Sequence, residues 1–304
     1  MKIVYAGSPE YAVKPLRALI EAGDEITAVI TQPDKPVGRK KTFTPTPVKA
    51  YAQSAGLPVY DFAKIKEHAD ELKAIGADIM ITCAYGQLLT DGVLKAFHAG
   101  VYNLHASLLP NYRGASPIQS AILAGESHTG VTVMKTELAL DSGAILLVKR
   151  CEIGGRTSGE LSETLSELSA EAAVEAVKIL KHGEPQLMLQ DEAKATYCKK
   201  LSKADAAIDF KKSAEEVANL INAMSPSPAA YAHLADNPVN LLKATVCGGA
   251  GEVGTVINAD KKGVVIACGK DAVNVTKLQF AGGKVIGAAD AVNGRKIKAG
   301  DKLD

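Results

Sequence analysis

The stretch Val101-Tyr-Asn-Leu-His-Ala-Ser-Leu-Leu-Pro-Asn-Tyr-Arg-Gly-Ala-Ser-Pro-Ile118 decides how the rest of the chain is read. Residues 100–105 carry apolar Val101 and Leu104 in a short strand pattern. That pattern puts Asn103 and His105, two residues apart, on one side of the pleat. The strand runs straight into Ser107-Leu-Leu-Pro110 and Arg113-Gly114. A helix restarts at Ser116-Pro117, with Ser at the N-cap and Pro in the first turn. An amide and an imidazole therefore gather with loop groups at the carboxyl end of a strand, where open α/β sheets bind ligands. An amide N–H can donate to a developing oxyanion, and an imidazole can donate to that oxygen or carry a proton.

Downstream, Val131-Thr-Val-Met134 and Ala144-Ile-Leu-Leu-Val148 are strand-like runs joined by residues 137–143. That connection is too short for a parallel crossover, so the pair is expected to be antiparallel. Asp141 lies on it, with Ser142-Gly143 behind it to allow a tight turn. Upstream, strand and helix alternate from residue 1 to about 187: strands over 3–6, 25–30 and 78–83, and a helix over 11–22 with Val13, Leu16, Leu19 and Ile20 on one face. Thr157-Ser-Gly-Glu160 is a capping-box pattern that opens a structural helix to about residue 181. Repeated βα units predict an α/β fold with a Rossmann-like, mainly parallel sheet. Gly7-Ser-Pro-Glu10 lacks the glycines that bring a dinucleotide pyrophosphate onto the backbone, which argues against NAD.

Residues 190–206 carry Lys199-Lys200 and Lys203 with little apolar periodicity and read as a linker. Beyond it a helix over 213–223 precedes short strand-like runs at 231–234, 239–246, 254–257, 263–267 and 272–278. Gly-rich turns between short strands predict a small barrel. Gly249-x-Gly251-x-x-Gly254 matches the dinucleotide string, but strand follows it, so it is expected to be a hairpin turn. The expected division is a catalytic domain over 1–189, a linker over 190–206 and a barrel domain over 207–304.

At 304 residues the chain is long enough for two domains. A formal net charge of +1 argues against a generally basic nucleic-acid binder and leaves only local basic surfaces. One such surface is the Pro-punctuated loop 32–47, which carries Arg39, Lys40 and Lys41 and is long enough to suggest function. As simple chemistry, those three side chains also suit a solvated turn. The five cysteines are odd in number, widely spaced and free of any C-x-x-C pair. They read as separate thiols in a reducing compartment, not as a disulfide frame or a zinc site. A first strand at residue 3 leaves no room for a leader, and no apolar run approaches the ~20 residues of a membrane span. A cytoplasmic enzyme without a membrane association is the expectation.

Asn103-x-His105, Ser107-Leu-Leu-Pro110, Arg113-Gly114 with Pro117-Ile118, and Thr129-Gly-Val-Thr132 followed by Leu140-Asp141-Ser-Gly143 together resemble, in order and spacing, the folate-dependent formyltransferases. The likeness extends over essentially the whole chain and is strongest to the branch that acts on methionyl-tRNA. It implies an OB-like C-terminal barrel that binds tRNA, and formyl transfer from 10-formyltetrahydrofolate to the α-amine of methionyl initiator tRNA. It implies that Asn103 and His105 hold the oxyanion, while Asp141 orients His105 or a water and relays a proton. Tyr85, Gly86, Gln87 and Leu88 are implied to read the pterin edge through backbone groups, with Ser107, Leu108, Leu109 and Pro110 as a wall of the folate site. Arg113 is implied to fix its loop, and Arg39, with Lys40 and Lys41, to enter the acceptor arm. Neither a metal nor a protein partner is expected.

Two positions depart from the family pattern: Thr90 stands where proline is usual, and Ser227 stands between Pro226 and Pro228 where an aromatic is common. The main rival is a sugar-nucleotide N-formyltransferase, which resembles this chain in the same triad and a C-terminal barrel. A formylfolate hydrolase is a further rival. A single-domain glycinamide ribonucleotide transformylase leaves the C-terminal region unexplained. A catalytically silent tRNA-binding protein is disfavoured by the intact Asn103, His105 and Asp141.

Overall fold

In the computed structural model, which describes residues 1–37 and 41–304, the chain divides into two units. The first comprises Met1–Gly114, Thr129–Cys151 and Ser162–Tyr197. Its seven-stranded sheet has the order Ile145–Glu152, His128–Lys135, Val101–His105, Ile79–Cys83, Lys2–Gly7, Glu25–Ile30, Val59–Tyr60. The strands from Val101–His105 to Val59–Tyr60 run parallel to their neighbours. Central strands such as Lys2–Gly7 and Ile79–Cys83 are buried almost throughout, which is why they read as unbroken apolar runs instead of alternating ones. His128–Lys135 runs antiparallel to Val101–His105. The Lys135 N–H donates to Ala144 O at 2.9 Å, closing the short hairpin that holds Asp141.

Parallel neighbours end on the same edge, so the loops after Gly7, Cys83 and His105 all leave from one side of the sheet. The expected helix 11–22 is a 3-10 turn, Glu10–Ala12, followed by the α-helix Val13–Glu21. Within this unit the Tyr11 hydroxyl lies 2.6 Å from Ser169 Oγ, and Ser166 Oγ donates to Tyr11 O, so the helix Ser158–Lys181 packs over this turn. The described parts of the 32–47 segment form regular structure. Lys35–Val37 pairs antiparallel with Thr42–Thr44, and Thr46 then caps the helix Pro47–Ser54. Lys49 holds both Asp34 and Asp61 at 2.7 Å, pinning the base of this hairpin. Arg39 and Lys40 lie outside the described residues, whereas Lys41 is exposed with φ 49°.

The second unit comprises Ala115–His128, Glu152–Leu161 and Cys198–Asp304. Its antiparallel sheet has the order Ala230–Leu234, Asn237–Cys247, Ala272–Phe280, Gly263–Ala267, Val256–Asp260, with Val285–Gly287 pairing beside Ala272–Phe280. Residues at the chain's end lie between the two edge strands: the His233 N–H donates to Asp304 O at 2.8 Å, and the Leu303 N–H to Gly254 O at 2.9 Å. These bonds bridge the two edge strands through the chain's end, curling the sheet into a barrel. Val239, Leu241, Val264, Ile266, Val273 and Val275 fill it, with Val217 and Ile221 of the helix Ala214–Ala223 packed on them.

Three features differ from the sequence expectation. The Gly249–Gly254 segment is not a hairpin turn, because the strands it joins are separated in the sheet by two others; it crosses the barrel instead. The strand Val285–Gly287 and the helix Ala288–Asn293 were not foreseen, being short and weakly patterned. Two segments from the N-terminal part of the sequence, Ala115–His128 and Glu152–Leu161, pack with the barrel. Thus Ser158 Oγ donates to Ser225 O at 2.7 Å, and Lys243 pairs with Glu160 at 2.6 Å. A boundary drawn on contiguous sequence cannot represent that interleaving. The capping boxes Thr157–Glu160 and Ser213–Glu216 are both formed. Among the described residues no helix is long and apolar enough to cross a membrane.

Candidate active site

Asn103 and His105 leave the same strand within the first unit, and their strand partners set what each can do. Thr82 lies opposite Asn103 on the neighbouring parallel strand, and its hydroxyl donates to Asn103 Oδ1 at 2.8 Å. The amide oxygen is therefore occupied, and the Asn103 NH2 is the end left to donate. His105 is buried, and its Nε2 lies 2.9 Å from the Tyr112 carbonyl. A carbonyl only accepts, so Nε2 carries the proton and Nδ1 faces the other way. Nδ1 stands 3.7 Å from Asp141 Oδ2. That is wider than a hydrogen bond, so the direct hydrogen-bond partner of the ring is the Tyr112 carbonyl, and the spacing to Asp141 suits the expected alternative in which a water lies between them.

Asp141 is held from both ends. Its Oδ2 accepts from the Gly114 N–H at 2.8 Å, and its backbone carbonyl accepts from Gln190 Nε2 at 2.8 Å. The Gln190 amide also donates to Gly143 O, and its oxygen accepts from Arg113 Nε and Nη2. Arg113 is 1 % exposed and places its guanidinium fork on the Glu192 carboxylate at 2.7 and 2.9 Å. The Glu192 carboxylate raises the Arg113 pKa further above its ordinary value, and the guanidinium in turn holds the Glu192 carboxyl below the usual range. Gly143 is needed for space: a Cβ there would meet Lys135 O at 1.7 Å. Ala84, Tyr112 and Asp141 all take positive φ (46°, 60° and 50°), a conformation that L-residues seldom adopt and that tends to gather at functional sites.

The other expected site residues fall into two groups. The Tyr85 side chain is buried in the apolar cluster with Val4, Ile30 and Phe62, and burial pushes its hydroxyl up to about 12. Gln87 spends its side chain locally, donating to Phe62 O and accepting from the Ile65 N–H at 2.8 Å each. The Leu88 side chain is 81 % exposed, and Gly86 takes φ 80°. Ser107 is buried with its hydroxyl on Asn111 O. The Thr132 hydroxyl donates to Ser107 O and accepts from the Leu109 N–H, stapling the turn through Pro110 to the sheet. Leu108 is packed over Gly130, where a Cβ would meet its Cδ2 at 2.7 Å.

Sequence reasoning missed Thr82, Thr132, Tyr112 and Gln190 as parts of this site. The first two are ordinary β-branched strand residues. Tyr112 acts through a carbonyl that every residue has. Gln190 lies in a stretch whose composition reads as a linker, although residues 190–197 are bound to the site by Gln190, Glu192 and Thr196, the last accepting the Arg113 N–H at its carbonyl. Among the described residues no group of three or more His, Cys, Asp or Glu is placed to hold a metal.

Asn103, His105 and Asp141 thus lie together at the carboxyl edge of a parallel sheet, and an antiparallel β unit follows in the chain. The formyl transferase model matches residues 1–177 and the formyl transferase C-terminal domain model matches 200–296; the chain belongs to the formyl transferase family. Methionyl-tRNA formyltransferase of Coxiella burnetii is 40% identical over 308 residues, covering 100% of this chain and 97% of that protein. The same enzyme of Chromobacterium violaceum is 42% identical over 307 residues, covering 100% and 99%. Among solved structures, HypX from Aquifex aeolicus in complex with tetrahydrofolic acid superposes with a TM-score of 0.69 at 17% identity, over 97% of this chain and 47% of that one. The N-formyltransferase from Helicobacter canadensis, in complex with folinic acid and dTDP-3-aminofucose, gives 0.69 at 19%, over 92% and 99%. At those identities the two structures speak to the fold alone.

Proposed function

We propose that this protein transfers a formyl group from 10-formyltetrahydrofolate to the α-amine of methionyl initiator tRNA, and that it works in the cytoplasm. The full-length relatives support the acceptor, and the arrangement around His105 carries the chemistry. The reaction forms a bond between the methionyl nitrogen and the formyl carbon and breaks the bond from that carbon to N10 of the folate. Asn103 donates its free NH2 to the formyl oxygen as negative charge grows there. His105, with Nε2 spent on Tyr112, turns Nδ1 toward the reacting atoms and toward Asp141. Asp141 receives the proton that the amine sheds, and the His105–Asp141 pair passes a proton to the departing N10.

The 84–88 turn suits a folate ring system in a limited way. Tyr85 and Gln87 have their side chains committed elsewhere, so pterin contacts fall to backbone groups of Tyr85, Gly86 and Gln87 and to the exposed Leu88 side chain. Ser107, Leu108, Leu109 and Pro110 form the facing wall, and Thr132 keeps it rigid. Arg39, Lys40 and Lys41 contact the acceptor arm, and the barrel unit supplies further phosphate contacts.

Acceptor competition tests the assignment. Charged initiator tRNA and a panel of amino-sugar nucleotides are offered together with 10-formyltetrahydrofolate, and the formylated product is identified. Formylation of the tRNA is expected; preferential formylation of a sugar nucleotide would replace this reading with the rival.

A further inference from the structure

Gln190 lies in a stretch that reads as a linker, yet its amide joins the loop that carries Asp141 to Arg113. Nε2 donates to Asp141 O at 2.8 Å and to Gly143 O at 2.7 Å. Oε1 accepts from Arg113 Nε at 3.1 Å and Nη2 at 2.8 Å. A primary amide has two N–H donors and two acceptor lone pairs, so these bonds fill its capacity and fix which way it points. Rotated by half a turn, it would set its oxygen against two carbonyls and its NH2 against a guanidinium. Arg113 is in turn fixed by the bidentate fork on Glu192.

We infer that Gln190 is a positioning residue for Asp141, setting the turnover rate without touching either substrate. This rests on the reading of Asp141 as the proton relay. Asp141 holds a left-handed backbone conformation, φ 50°, which L-residues rarely adopt unless their surroundings impose it. Both restraints on it lead to one dipeptide: the Gly114 N–H grips the carboxylate, and Arg113 reaches the carbonyl through Gln190. The carboxylate already stands 3.7 Å from His105 Nδ1, with no direct bond to hold that spacing. Releasing the carbonyl lets the loop drift, and a displacement of about 1 Å at a reacting group can cost on the order of a hundredfold in rate.

Gln190→Glu is the sharpest variant. It is isosteric and still accepts from Arg113, but it turns an oxygen toward the carbonyls of Asp141 and Gly143. Steady-state kinetics with charged initiator tRNA and 10-formyltetrahydrofolate should show kcat reduced roughly ten- to a hundredfold, with both KM values within about twofold of wild type. The decisive readout is the same substitution in an Asp141→Asn background, where it should change kcat by less than about threefold, because residues acting as a unit are non-additive. An equal proportional loss in both backgrounds would show a general structural role and overturn the inference. Glu192→Gln provides a second route should Gln190→Glu not fold: Glu192 is exposed, and its loss should lower kcat more mildly, again only when Asp141 is present. An unchanged kcat in that variant would likewise overturn the inference. Wild-type protein assayed alongside separates the two ideas, since failure to formylate charged tRNA would remove the proposed function itself, whereas an active wild type with an unaffected Gln190→Glu removes only the positioning role.

Discussion

Thr82 Oγ1 donates to Asn103 Oδ1 at 2.8 Å, across two parallel strands that place the residues opposite one another. With the oxygen engaged, the NH2 is the end of the Asn103 amide left to donate, and the proposed reaction uses it on the formyl oxygen. Asn103→Asp replaces that donor with a carboxylate facing nascent negative charge, and kcat should fall roughly a hundred- to a thousandfold, the usual cost of one lost oxyanion donor. Folate affinity should stay near wild type, as read by fluorescence titration. Thr82→Val keeps the shape but frees the amide to turn over, and about a tenfold loss of kcat is expected. A folded Asn103→Asp protein with half its activity would take Asn103 out of the mechanism.

His105 and Asp141 are proposed to move one proton as a pair across their 3.7 Å separation. His105→Ala and Asp141→Ala should each lower the single-turnover rate by at least about a hundredfold. The double variant should be far less than multiplicatively worse. If the two losses simply multiply, Asp141 has a separate task, such as holding the folate.

How far the site could be read in advance depends on which atoms it uses. Asn103, His105 and Asp141 are proposed to act through side chains, and the strand pattern around Val101 and Leu104 with the short turn before Gly143 points to the edge where the structure places them. Tyr112 and Gly114 act through backbone groups, which no residue type advertises. Gln190 acts through a side chain, but it contributes no apolar period, and sequence periodicity reports burial of apolar faces, not polar capacity. The same limit explains the barrel. Its strands alternate well enough to be found, while their order depends on long-range pairing, so the Gly249–Gly254 crossing read locally as a hairpin.

Cys83 ends the strand beside this edge, fully buried, and burial pushes its thiol up to about 12 from an ordinary 9.0. The sign follows from proton counting. In the unfolded chain the thiol ionises near its ordinary value, while in the folded protein it keeps its proton to about 12, so the unfolded state binds fewer protons in between. Stability attributable to Cys83 is thus fully present below about pH 9 and is lost as pH rises toward 12, at roughly 1.4 kcal/mol per pH unit. Cys268, pushed up to about 11, adds a smaller loss of the same sign. Urea midpoints measured from pH 8 to 10.5 should fall more steeply for wild type than for Cys83→Ala. Parallel curves for the two would refute this account of alkaline sensitivity.

The proposed triad of Asn103, His105 and Asp141 would not choose between a charged tRNA and an amino sugar, because oxyanion chemistry suits both, so the choice is expected from parts that touch the rest of the acceptor. The hairpin Lys35–Val37 with Thr42–Thr44 is well placed for this within its unit. It follows the strand Glu25–Ile30 directly, and Gln32 at its entry donates to Tyr85 O at 3.1 Å and to Ser8 Oγ through its backbone N–H, tying it to the edge from which the Asn103 and His105 strand also emerges. Lys41 extends into solvent there, and Arg39 and Lys40 belong to the same run of sequence. Arg39→Ala and Lys41→Ala should each lower kcat/KM on charged initiator tRNA several-fold and leave folate affinity unchanged. If each removes one phosphate contact, the slope of log affinity against log salt becomes shallower by about 0.7 to 0.9 per substitution. Binding titrations across a salt series decide the matter: an unaltered slope in both variants would exclude the loop from the tRNA interface and leave acceptor choice to the barrel unit.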